Sequence, residues 1–256
     1  FLKSRVRRLI LPYFFFSIIN IGICYISIRT NPNAHDISLW KNTVGILYGN
    51  MNSVVGPLWF LSALFSLECM FYGLSNLKNW LLILFVSICF HIIGLFSIYT
   101  PFAYLPWSIN LALIVMPIFA IGYIGKETCK KIDSLSNISK ILIFIGSALV
   151  SYLLLPITGF DLSMHKFVNW YGYIPIALVG ITTYLTLAKL LQTNKVLEWL
   201  GRNTIVIIAL HGIVYQALIY LSSLTLGISM WSIRSNFLSC IAITILDVTI
   251  LSPIIM

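Results

Sequence analysis

Trp80-Leu-Leu-Ile-Leu-Phe-Val-Ser-Ile-Cys-Phe-His-Ile-Ile-Gly-Leu-Phe-Ser-Ile98 carries no charged side chain. A barrel strand would alternate apolar and polar residues over about ten positions, whereas this run is apolar on every side. At a rise of about 1.5 Å per residue it nearly matches the ~30 Å hydrocarbon core of a bilayer. It therefore reads as a membrane-spanning helix. Seven further runs of the same kind flank it: about Leu9 to Ile28, Leu58 to Leu74, Trp107 to Ile124, Ile141 to Ile157, Gly172 to Leu190, Thr204 to Leu221 and Phe237 to Ile255. The expected architecture is an all-α integral membrane protein, a bundle of about eight transmembrane helices in one domain spanning 1–256. The composition agrees. Of 256 residues 59% are hydrophobic and 9% charged, with a mean hydropathy of +0.97. Those values exclude a water-soluble globule and leave no room for a second, soluble domain.

Lys and Arg number 16 against 7 Asp and Glu. In a membrane chain such an excess first reports topology, so nucleic acid is not implied as a partner. With the N-terminal segment inside, the inside positions hold Lys3, Arg5, Arg7, Arg8, Lys78, Lys126, Lys130, Lys131, Lys140, Lys189, Lys195 and Arg202. Arg29, Lys41, Lys166 and Arg234 fall outside, a split of 12 to 4. The positive-inside rule then predicts that both ends face the cytoplasm. The two longer outside loops, Arg29 to about Gly56 and Pro156 to Tyr171, are where an extracytoplasmic ligand would be met. The five cysteines form no CxxC, and no metal or nucleotide motif of the soluble kind is present, so no metal site and no bound cofactor are expected. No internal repeat stands out, which counts against a transporter built from two halves.

Glu68, His91, His211 and Asp247 fall inside the apolar runs, three of them about 15 Å from the helix ends at a rise of about 1.5 Å per residue. A carboxylate at that depth costs about 2.5–3.5 kcal/mol on insertion scales, so Glu68 and Asp247 must meet a partner, a watery cavity or a proton. Consecutive antiparallel helices make two pairings geometrically possible, Glu68 with His91 and His211 with Asp247. Each pair has two readings: a carboxylate orienting a basic imidazole, or a polar contact tying helices together. His35 and His165 lie in loops. Trp59, Trp107 and Trp170 sit at run ends, suited both to the membrane interface and to stacking on a sugar ring. The cluster Arg5-Val-Arg-Arg8 also has two readings, anionic lipid headgroups or a phosphate clamp, because guanidinium forks bind phosphate bidentately.

Five segments together resemble the membrane-bound acyltransferase 3 family, in its fucose 4-O-acetylase-like branch. They are Phe1-Leu-Lys-Ser-Arg-Val-Arg-Arg-Leu-Ile-Leu-Pro-Tyr13, Gly56-Pro-Leu-Trp-Phe-Leu61 with Glu68, Leu105-Pro-Trp-Ser-Ile109 running to Gly122-Tyr123, Asp161-Leu162 with Tyr171-Gly172, and Leu200-Gly-Arg-Asn-Thr204 with His211. The resemblance implies ten helices, the first two lying upstream of Phe1, and transfer of an acetyl group from cytoplasmic acetyl-CoA to a carbohydrate hydroxyl. It implies Arg5 and Arg8 as the donor-binding residues. Trp59, Glu68 and Asp161 are the candidates for the acceptor side. The family's principal catalytic histidine has no counterpart here and is expected upstream of Phe1, leaving His211 and His91 as weak substitutes. The expected partners are acyl-CoA, a carbohydrate acceptor and the lipid bilayer, and the expected location is a bacterial inner membrane. Two alternatives stay open: a proton-coupled transporter or flippase of a polysaccharide precursor, using Glu68 and Asp247, or an inactive acyltransferase remnant.

Overall fold

A computed structural model describes residues 1–30, 39–49, 56–100, 105–162, 166–167, 169–192 and 194–255. Every apolar run is helical. The chain opens with α1 (Leu2–Arg5), a π-helical turn (Val6–Ile10) and α2 (Leu11–Thr30). Next come α3 (Leu39–Tyr48), α4 (Trp59–Leu74), α5 (Trp80–Ile98), α6 (Ile109–Ile124) and the short α7 (Lys126–Lys131). The chain continues through α8 (Asn137–Thr158), a two-residue hairpin of β1 (Phe160–Asp161) and β2 (Lys166–Phe167), and α9 (Tyr173–Leu191). It ends with α10 (Lys195–Arg202), α11 (Thr204–Leu226), α12 (Met230–Ser235) and α13 (Phe237–Ile255). Among the described residues six helices are long and apolar enough to cross a membrane. Two of the eight expected spans are shorter apolar helices, Trp59–Leu74 and Phe237–Ser252. At 16 residues, α4 reaches about 24 Å.

Burial departs from that of a soluble protein on the outer face. Ser62, Ser87, Asn110, Thr186, His91 and Asp247 are buried along with the apolar core, while Phe85, Phe96, Leu142, Tyr152 and Ile245 stand out from their helices. Such a surface is stable against hydrocarbon and not against water, and it marks a multi-pass integral membrane protein.

Two compact units make up the chain. The first comprises Phe1–Ile10, Leu47–Met51 and Trp59–Asn194. Its core lies on α4, α5 and α6, with Leu67, Phe71, Ile83, Ala112 and Met116 in one cluster. A second cluster gathers Ala63, Leu95, Leu111, Ile114 and Tyr173. Helices α5 and α6 approach closely at Gly94, where an added Cβ would lie 2.8 Å from Ile114 Cγ1 and 2.9 Å from its backbone nitrogen; a small residue at the crossing permits that approach. Asn79 starts α5 by accepting the Leu81 N–H at 2.9 Å.

The second unit comprises Leu11–Ile46, Asn52–Leu58 and Lys195–Met256. Within it the Tyr13 hydroxyl donates to the Ile46 carbonyl at 2.9 Å, satisfying one of the acceptors that the last turn of α3 leaves without a helical partner. Ile219, Ile233 and Ile243 pack α11, α12 and α13 together.

Candidate functional site

The first unit holds a charged site built on the first helical segment and α4. Arg5 Nη1 lies 3.1 Å from Glu68 Oε1, with the arginine side chain 35% exposed and the glutamate 13%. Phe1 supplies a second contact: its ring sits 5.3 Å from Arg5 Cζ and stacks on Tyr72 at 4.4 Å. Arg8, exposed, adds its charge to the field at Glu68. Sequence reasoning had put Arg5 on the donor side and Glu68 on the acceptor side, whereas the fold joins them in one ion pair. It does so because α4 carries Glu68 toward its C-terminal half, level with the first helical turns.

A π-helical turn at Val6–Ile10 contains Arg8. Pro12 follows four residues after Arg8 and brings no N–H, so the Arg8 carbonyl cannot close an ordinary helical bond. The wider turn resets the spacing of the Arg5-x-x-Arg8 pair. A guanidinium has five N–H donors, and one carboxylate oxygen does not saturate them. The far oxygen of Glu68, Oε2, is buried without a hydrogen bond. The arrangement is thus a preformed cationic patch, oriented by a carboxylate and able to receive an anion with phosphate geometry.

Three serine hydroxyls and two backbone carbonyls form a second polar site in this unit, one that sequence reasoning missed. The Gly49 carbonyl accepts from Ser62 Oγ at 3.3 Å and from Ser108 Oγ at 3.2 Å, and Ser66 Oγ donates to the Trp107 carbonyl at 2.8 Å. Trp107 and Ser108 have φ of 57° and 52°, a left-handed conformation that non-glycine residues hold only when their surroundings impose it. Gly49 also has positive φ, 71°, and a Cβ there would meet Trp107 Cα at 2.8 Å. The available signal was two serines four apart, Ser62 and Ser66, on one face of an apolar helix.

The remaining candidates are dispersed. His91 is buried and its Nδ1 lies 2.6 Å from the Ile114 carbonyl; a carbonyl only accepts, so the proton is on Nδ1. The ring also stacks on Tyr173 at 6.0 Å and 7°. Since Glu68 is paired with Arg5, His91 serves as a tie between α5 and α6. In the second unit His211 lies within reach of two carbonyls of its own helix, Ile207 and Ile208, at 3.1 and 2.9 Å. Asp247, on α13, is buried. Trp59 packs half-buried against the Ala63–Tyr173 cluster, as does Leu162. Asp161 is exposed, in register with Lys166 in the hairpin. His35 and His165 lie outside the described residues, and no group of three or more potential metal ligands occurs among those described.

The described helices define a multi-pass membrane protein, and one of its sites holds an arginine paired with a carboxylate. The family model described as an acyltransferase domain matches residues 1–252. The chain therefore belongs to the acyltransferase 3 family and is a membrane acyltransferase. No curated protein and no solved structure matches it.

Proposed function

We propose that the protein transfers an acetyl group from acetyl-CoA to a hydroxyl of a cell-surface carbohydrate or its lipid-linked precursor, as in the fucose 4-O-acetylase-like branch of the family. The observation that carries this reading is the Arg5–Glu68 pair. A donor thioester reaches the enzyme on a carrier rich in phosphate, and an arginine already held in place loses less rotamer freedom when it binds that phosphate. Arg8 supplies a second charge on the same segment. The positive-inside pattern puts this end at the cytoplasm, where acyl-CoA is found, and the bacterial inner membrane is the setting that fits. Arg5 and Arg8 bind the donor; Glu68 orients Arg5 rather than lining the acceptor pocket, which is left to Trp59 and Asp161.

Acyl transfer itself requires that the acceptor hydroxyl lose a proton as its oxygen attacks the thioester carbonyl, with the thiolate of CoA as leaving group. A positioned base contributes typically 10² to 10⁴ in rate to such a step. The test uses the protein in native membranes with radiolabelled acetyl-CoA, following label in the polysaccharide fraction. Arg5→Ala with Arg8→Ala removes transfer. Unaltered transfer in that double variant refutes the donor assignment. Proton-driven flux without acyl product, abolished by Asp247→Asn, replaces the enzyme reading by the transporter one.

A further inference from the structure

The first unit contains another basic site, away from the Arg5–Glu68 pair. A cleft of about 670 Å³ lies between the α4–α5 turn and the start of α7, lined among others by Ser75, Lys78, Trp80, Tyr123, Lys126 and Glu127. Neighbouring cations are already matched: Lys130 to Glu127 at 2.8 Å, Lys189 to Asp133 at 2.6 Å, and Lys140 Nζ to the Asp133 carbonyl at 3.2 Å. Lys78 and Lys126 are exposed and, among the described residues, have neither a salt bridge nor a hydrogen-bonded side-chain partner. Orientation in the membrane requires basic residues near the surface; it does not require two of them on the walls of one cavity.

Two further features define the ligand. Trp80 and Tyr123 are 55% and 53% exposed and offer ring faces in the same cleft. The 19-residue α5 begins at Trp80, so its positive end adds to the field there. Tyr123 also borders an apolar groove of about 440 Å³ on α4 and α6, with Leu67, Val115, Ile118, Phe119 and Gly122. A cationic, aromatic cleft that adjoins an apolar groove suits a phosphorylated purine carrying a long, less polar arm. The aromatic contacts Phe1–Tyr72 and Phe71–Tyr123, the latter at 5.3 Å, place cleft and Arg5 on the same end of α4.

We propose that this cleft holds the adenosine 3′,5′-bisphosphate end of acyl-CoA, its phosphates on Lys78 and Lys126 and its adenine on Trp80, with the pantetheine arm leaving past Tyr123 along the groove. The proposal rests on the acyl-CoA reading above. Its test is calorimetric titration of the protein in phosphatidylcholine nanodiscs with CoA and, separately, with adenosine 3′,5′-bisphosphate. The wild type binds both. Lys78→Ala with Lys126→Ala weakens the bisphosphate about ten-fold or more, as two charge-assisted contacts require. Lys78→Arg with Lys126→Arg keeps affinity within about three-fold, since the charge is retained. Trp80→Leu weakens it about five-fold or more through lost stacking. Unchanged affinity in the double alanine variant overturns the cleft, and if Arg5→Ala still abolishes CoA binding, the donor reading survives alone. Displacement of the nucleotide by phosphatidylglycerol, with loss of co-purified anionic lipid from the double alanine variant, makes the cleft a lipid-headgroup site and overturns the proposal. A wild type that binds neither probe overturns both readings.

Discussion

The Arg5–Glu68 pair can be tested by a double-mutant cycle whose outcome follows from the unequal exposure of its partners. Arg5→Ala leaves the Glu68 carboxylate, 13% exposed, inside an apolar helix with no cation within salt-bridge distance. Breaking a buried pair costs about 3–5 kcal/mol, and partial access of water to this one lowers the expected loss to about 2–3 kcal/mol. Glu68→Gln keeps the shape and removes the charge, leaving an arginine that is 35% exposed and partly hydrated; about 1 kcal/mol is expected. The double variant has no unpaired charge, so its loss should be about 1.5 kcal/mol rather than the sum of the two. A coupling of about 1.5–2.5 kcal/mol lies within the range for residues in contact. Equilibrium unfolding in mixed detergent micelles, followed through the seven tryptophans, supplies all four free energies. If the two single losses add to within about 0.5 kcal/mol, the pair does not exist as an interaction and the orienting role of Glu68 is wrong.

Three other outcomes are expected. Gly94→Ala should destabilise by about 1–3 kcal/mol in the same assay, because its Cβ would meet Ile114 and Leu113 at 2.8 to 3.0 Å and α5 and α6 must part; an unchanged midpoint would mean that the crossing is looser than described. His91→Ala should cost about 2–4 kcal/mol by opening a cavity and removing the hydrogen bond that ties α5 to α6, with turnover per folded molecule within about three-fold. A fall in turnover of 10² or more at unchanged stability would make His91 a base instead. Asp247→Asn should leave stability unchanged or raise it by about 1 kcal/mol, since the buried carboxylate has an oxygen, Oδ1, with no hydrogen bond; a loss above about 1 kcal/mol would show that His211 anchors it.

From sequence alone the class of the molecule was legible. A helix in hydrocarbon must satisfy its own backbone and present apolar side chains on all sides, so length and composition declare it without reference to any neighbour. That is why the eight apolar runs, from Leu9 onward, are all helical, and why the segments resembling the acyltransferase 3 family pointed to the family that matches residues 1–252. The basic residues near the run ends were equally visible, Arg5 and Arg8 among them. Which groups meet was decided only by the fold. Glu68 and His91 stand on consecutive helices and were candidates for one another, yet Glu68 turns to Arg5 and His91 to the Ile114 carbonyl. Periodicity gives the face a residue occupies on its own helix, but not the rotation of one helix against the next. Nor does it show that Trp107 and Ser108 adopt left-handed backbone beside Gly49. Those features depend on atoms distant in sequence, and tertiary packing alone brings them within reach.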